Sequence, residues 1–102
     1  MFVDLIRKIL APEAGVRERA AEEIVDRLGL YTPAQVSALV ALLSSTAVVE
    51  KVYSALESEL HAILELTSTG HVTLDHVAPL REMQLEELPN EIKEYVIDLL
   101  EG

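Results

Sequence analysis

Three histidines and eighteen acidic residues are the side chains from which this 102-residue chain could build chemistry. His61 has the most suggestive neighbours. With residues 47–66 helical, Glu57 and Glu65 stand one turn before and one turn after it, on the same face. Two carboxylates around an imidazole suit a divalent cation. The segment carries no HExxH pattern, however, and His71 and His76 fall five apart, outside any strong helical pattern. A solvent-facing histidine between two acids is the simpler reading, and no metal is expected. Nucleophilic catalysis has less to work with. The six serines and five threonines gather at helix ends and turns, where hydroxyls satisfy backbone groups. No G-x-S-x-G elbow and no Gly-rich, lysine-bearing phosphate loop occurs. The absence of cysteine removes thiolate nucleophiles, disulfides and zinc–thiolate sites. Neither enzymatic activity nor a cofactor is expected.

The elements that must position any site are helical. Half of the residues are hydrophobic, mostly Leu, Ala, Val and Ile, and Glu outnumbers Asp fourteen to four. That apolar content argues against disorder, and the strong helix formers argue against a sheet. The formal net charge of −10 disfavours phosphate neutralisation, so no nucleic-acid partner is expected. The longest uncharged run, Leu28 to Val49, contains Gly29, Pro33, Gln35 and Ser44-Ser45-Thr46, so it reads as a turn followed by a buried helix rather than a membrane span. Asp4, Arg7 and Lys8 interrupt the N-terminal apolar residues, which therefore do not resemble a signal peptide. The expected compartment is the cytoplasm.

Hydrophobic spacing predicts one all-α domain over residues 1–102, with about six helices arranged as three α-α hairpins in a short stack or compact bundle. The first helix occupies roughly the first ten residues, with Phe2, Leu5, Ile6, Ile9 and Leu10 on one face. The second runs from about Val16 to Leu28, stopped by Gly29. Thr32-Pro33-Ala34-Gln35 supplies a capping hydroxyl, an N1 proline and a glutamine three residues past the cap, so the third helix starts at Pro33 and runs to about Ser44. After a break at Ser44–Thr46, the fourth spans about Ala47 to Leu66, with Val49, Val52, Tyr53, Leu56, Leu60, Ile63 and Leu64 inward. Thr67 to Gly70 is a break. A fifth helix over about Asp75 to Leu85 follows, capped by Thr73 or Asp75, with an extended segment at His71–Leu74 as the rival local reading. The last helix opens at Pro89 and runs to Glu101, burying Ile92, Val96, Leu99 and Leu100.

Leu5-Ile6…Ile9-Leu10 recurs as Leu39-Val40…Leu42-Leu43, about 34 residues on, a period typical of stacked helical hairpins. The segment DLIRKILAPEAGVRERAAEEIVDRL, with Leu5, Ile9, Leu10, the pair Val16-Arg17 and the small Ala20 and Ala21, resembles a HEAT-type repeat. The resemblance covers a quarter of the chain. The second unit has Val48-Val49 where Val-Arg is expected, so the Asp/Arg ladder typical of that family is not repeated.

Charge is unevenly placed. Residues 1–35 carry five bases and six acids, whereas residues 36–102 carry three bases and twelve acids. On the last helix Glu91, Glu94, Asp98 and Glu101 fall within an arc of about 80°. Tyr95 borders that arc, Glu86 and Glu87 precede it, and the fourth helix adds Glu50, Glu57 and Glu65 on its outer side. Such a stripe is either a solvated face or a docking surface for a basic protein, with Tyr95 as an aromatic anchor. In size, acidity, helicity and lack of catalytic motifs, the chain resembles bacterial immunity proteins that neutralise a toxin domain. It lacks the paired tyrosines of the colicin nuclease type. The resemblance implies a non-catalytic inhibitor whose partner is a toxin domain with a basic surface. The alternative is a HEAT-like scaffold or regulatory subunit of a larger complex.

Overall fold

The computed structural model describes residues 2–101. Five α-helices are present: α1 (Phe2–Ile9), α2 (Ala14–Asp26), α3 (Pro33–Val49), α4 (Tyr53–Thr67) and α5 (Asn90–Glu101). A nine-residue 3-10 helix, Leu74–Glu82, takes the place of a sixth, and single 3-10 turns occupy Leu28–Leu30 and Leu85–Glu87. No strand occurs among the described residues. The chain forms three consecutive packed pairs: α1 with α2, α3 with α4, and the 74–82 helix with α5. Each pair leans on the next, α2 against α4, α3 against the 74–82 helix, and α4 against α5. The resulting slab measures 36 × 30 × 19 Å. Its thinnest dimension is that of two helix layers, each about 10 Å across. No helix among the described residues is long and apolar enough to cross a membrane.

Local chemistry explains most boundaries. At the start of α3 the Gln35 backbone N–H donates to Thr32 Oγ1 (3.2 Å), while the Thr32 N–H donates to Gln35 Oε1 (2.9 Å), with Pro33 at N1. This is the capping box expected from the sequence. At the end of α4 the hydroxyls of Thr67, Ser68 and Thr69 donate to the carbonyls of Leu64, Glu65 and Leu66 at 2.6, 2.6 and 2.7 Å. Gly70 then takes a positive φ of 83°, which lets the chain leave the helix at once.

Several boundaries differ from the sequence expectation. Ser44-Ser45-Thr46 does not break the chain, because α3 continues through it to Val49. Thr46 Oγ1 donates back to the Leu42 carbonyl at 2.8 Å, so the hydroxyl is satisfied without leaving the helix. The break falls instead at Glu50–Val52. Consequently Val49, Val52 and Tyr53, expected inward, are 71%, 42% and 49% exposed. Leu10, expected on the apolar face of the first helix, lies just past its end and is exposed. The second helix closes at Asp26, ahead of Leu28, and the chain runs through Gly29 in a 3-10 turn. The expected helix at 75–85 is the 3-10 helix 74–82. It begins after Thr73, whose N–H donates to His76 Nδ1 at 3.0 Å, and it contains Pro79, whose missing N–H is foreign to a regular helix interior.

The core takes Leu5 and Ile9 from α1, Ala20, Ala21 and Ile24 from α2, Val36, Leu39, Val40 and Leu43 from α3, Leu56, Leu60, Ile63 and Leu66 from α4, and Ile92, Val96 and Leu99 from α5. Ala20 and Ala21 allow α2 to approach α4 closely, which is the most extensive helix pairing in the molecule. Ser44 is fully buried in α3 and its hydroxyl has no hydrogen-bond partner. An unpaired buried hydroxyl is destabilising, and alanine is the better helix former. Ser44→Ala is therefore expected to stabilise the fold by about 1 kcal/mol, read as a higher urea midpoint at unchanged m-value. A lower midpoint would show that the hydroxyl is bonded in solution.

Candidate functional site

The amphipathic pattern of α5 turns Ile92, Val96 and Leu99 inward and leaves Glu91, Glu94, Asp98 and Glu101 exposed. Glu86 and Glu87 are also exposed, on the 85–87 turn. That turn is tied to α4 by the Tyr53 hydroxyl, which donates to the Glu87 carbonyl at 3.2 Å. The three ion pairs recorded among the described residues, Arg7–Asp4, Lys8–Glu23 and Arg17–Glu50, involve none of these six acids. Tyr95 is half-buried. Its ring meets His61 of α4 edge-on, with centroids 6.2 Å apart and planes at 75°.

That contact places Tyr95 at the edge of a second acidic surface. A cleft of about 520 Å³ runs between α2, α4 and α5, walled by Glu22, Val25 and Asp26, by Glu57, Ser58 and His61, and by Tyr95. Three carboxylates line it and no lysine or arginine does. Glu22 and Asp26, one turn apart on α2, were not singled out in the sequence, where they resemble any solvated helix face. Only the packing of α2 on α4 brings them opposite Glu57. His61 is accordingly not simply solvent-facing; it forms part of the cleft wall. Glu57, His61 and Glu65 do not converge into a metal-holding group, and no other set of three metal ligands does so among the described residues.

A third cluster is buried. Arg17, at the start of α2, donates from Nε and Nη2 to the two carboxylate oxygens of Glu50, at 2.7 and 2.8 Å. Its Nη1 donates to the carbonyls of Ala11 and Pro12 in the α1–α2 loop, at 2.7 and 2.8 Å. Glu50 Oε2 also accepts the Val52 N–H at 3.2 Å, which fixes the turn into α4. Glu50 is therefore not on the outer side of α4, as its type suggested. It precedes the helix, and its side chain is 1% exposed because a partner 33 residues away takes it out of water. The Arg17 hydrogen bonds hold its carboxyl at about 2, far below the usual range. Behind it lies Glu59, fully buried, with no donor reaching either oxygen. Burial, reinforced by the adjacent Glu50 carboxylate, pushes Glu59 up to about 9. At neutral pH Glu59 therefore keeps its proton, beside the ionised Glu50.

The Arg17–Glu50 pair joins the first hairpin to the second. Removing its cation strands Glu50 in a dry site. Arg17→Met is expected to destabilise the fold by about 3 kcal/mol, the low end for a buried pair because Arg17 keeps some solvent contact. Arg17→Met/Glu50→Leu should recover much of that loss in the same urea titration. A single variant as stable as the parent would remove the clamp from the account. The chain matches no family model, and no curated protein or solved structure matches it.

Proposed function

We propose that this chain is a non-catalytic protein-binding domain whose acidic surface docks onto a basic partner. Among proteins of this kind, an immunity protein that binds and blocks a bacterial toxin domain fits its size, acidity and helicity. The observation that carries the reading is the position of Tyr95. It stands between the exposed row Glu91, Glu94, Asp98 and Glu101 and the cleft lined by Glu22, Asp26 and Glu57, a half-buried aromatic ring with carboxylates on both sides. Interfaces draw affinity from such rings and encounter rate from such charge. A lysine or arginine of the partner entering the cleft meets three carboxylates and an aromatic face. Glu86 and Glu87 extend the acidic field along the chain before α5. The partner implied is a protein with a basic surface, and neither a metal nor a cofactor enters the reading.

A second reading, a HEAT-like scaffold or regulatory subunit of a larger complex, draws support from two features. The Arg17–Glu50 pair joins one hairpin to the next, as the acid–arginine ladder of that family does. Val3 and Leu10 leave apolar side chains 60% and 58% exposed beside the first hairpin, where a further repeat would stack. A scaffold of this kind self-associates as its concentration rises, which sedimentation velocity detects.

The test of the first reading is coexpression with the variable C-terminal domain of a large secreted protein encoded beside this chain. Growth should be restored and the two domains should co-purify. Reversal of Glu91, Glu94, Asp98 and Glu101 to lysine should slow association about tenfold or more and flatten its salt dependence. Tyr95→Ala should act instead on dissociation. Association rates and salt slopes unchanged by the reversal would sink the acidic-surface mechanism.

A further inference from the structure

We propose that Arg17, Glu50 and Glu59 form a proton-controlled latch, which holds the α1–α2 loop against the turn before α4 while Glu59 is neutral and frees that turn when Glu59 ionises. The geometry rests on a count of charges. Two carboxyl groups and one guanidinium share a site in which the Glu59 side chain is fully buried and that of Glu50 is 1% exposed. The guanidinium commits four of its five N–H groups, two to Glu50 and two to the carbonyls of Ala11 and Pro12, and neither oxygen of Glu59 accepts a hydrogen bond from the fifth. With one proton retained on Glu59, the cluster is neutral overall. With that proton gone, two buried anions face a single cation, an arrangement that desolvation makes costly.

The neighbours offer no other relief. From α2 the charge of Arg17 acts on Glu59, and Glu13 at the head of that helix acts on Arg17. The seventeen residues of α3 include no charge. The buried side chains of α5 are Ile92, Val96 and Leu99. His61, two residues along α4, is turned toward Tyr95. Ionised Glu59 must therefore share Arg17 or expel a carboxylate to water. Glu59 is fixed within the regular turns of α4, whereas Glu50 sits on the three-residue connection Glu50–Val52. The groove lined by Leu10, Val49, Glu50 and Lys51 opens beside that connection and offers a path outward. The turn moves, and because Arg17 follows one carboxylate or the other, its hold on Ala11 and Pro12 loosens as well.

The direction with pH follows from linkage. Glu59 is held near 9 while the Glu50 carboxylate stands beside it, and once Glu50 has left and Arg17 can turn to Glu59 that value falls, so Glu59 binds its proton more tightly in the closed state. The contribution of Glu59 is complete below 4.5 and is lost as pH rises through about 9, whereas that of Glu50, held at about 2, is lost as pH falls from 4.5 through 2. One proton leaves per opening, so the opening equilibrium rises about tenfold per pH unit across the upper window. Amide hydrogen exchange on the full chain at pH 6, 7 and 8, corrected for the intrinsic rate, reads this directly. Peptides covering residues 10–18 and 48–55 should lose protection with that slope, while the centres of α3 and α4 lose less. Glu59→Gln keeps the shape but has no proton to lose, so its profile should be flat. A flat profile in the parent, or an equal slope in Glu59→Gln, overturns the latch. Should the variant fail to fold, a 13C NMR titration of the parent decides. One glutamate carboxyl titrating in the alkaline range supports the latch, and every glutamate titrating below pH 6 overturns it.

Discussion

The guanidinium of Arg17 satisfies at one point three demands that the fold makes far apart in sequence. It neutralises Glu50, it caps the carbonyls of Ala11 and Pro12, and through Glu50 it fixes the entry to α4. A buried ion pair is seldom more stabilising than well-packed apolar side chains of the same volume. Its contribution here is to register. The helix behind Glu50, α3, is seventeen residues without a charge and is apolar on most of its circumference. Such a helix has no strongly polar face to fix its rotation, and greasy contacts alone tolerate several alignments. A bidentate pair with defined geometry does not tolerate them. Only the observed alignment of the first two hairpins puts the end of α3 opposite the start of α2.

How far the sequence reveals this depends on the range of the chemistry involved. The capping box at Thr32 and Gln35 is legible because every atom in it lies within four residues. So is the inward face of α5, where Ile92, Val96 and Leu99 repeat at helical spacing. The end of α3 is not legible at Ser44–Thr46 because serine and threonine serve helix interiors as well as breaks, and Thr46 bonds back to Leu42 without leaving the helix. The real break at Glu50–Val52 contains no glycine or proline. It is held open by Arg17, 33 positions away, and no local pattern announces that. The burial of Glu59 is illegible in the sequence for a related reason. Glutamate on a helix is ordinarily solvated, and its burial follows from the packing of α2 and the Glu50 turn on α4. The one sequence signal at this cluster was the Val16-Arg17 pair. It pointed to a hairpin motif and left the acid that Arg17 would meet unidentified.

The buried cluster and the acidic cleft are built on the same two helices. Arg17 lies in the first turn or so of α2, and Glu22 and Asp26 follow along it by about 7–14 Å. On α4, Glu59 is fully buried, while Glu57 and His61 wall the cleft. Carboxylates facing one another across a cleft repel and tend to push the helices apart. Opposing that tendency is the apolar contact beneath, Ala20, Ala21 and Ile24 of α2 in one core with Leu56, Leu60 and Ile63 of α4. The small alanines matter because they bring the helix axes close, and close axes keep the carboxylates within reach of one entering group.

A surface arranged in this way holds its charge before any partner arrives. The acids of the cleft and of α5 sit on regular helices, and Tyr95 is oriented by His61 on one side and by its own half-burial on the other. A cationic group entering the cleft thus meets carboxylates already placed, so little conformational freedom is lost on binding. Repulsion among these acids is present in the free domain and is relieved by the incoming charge, which makes the relief part of the driving force for association. On the proposed reading, the repulsion among these acids is electrostatic free energy that a basic partner would release. Its release depends on the α2–α4 packing, since helices free to separate would relax the same repulsion without a partner.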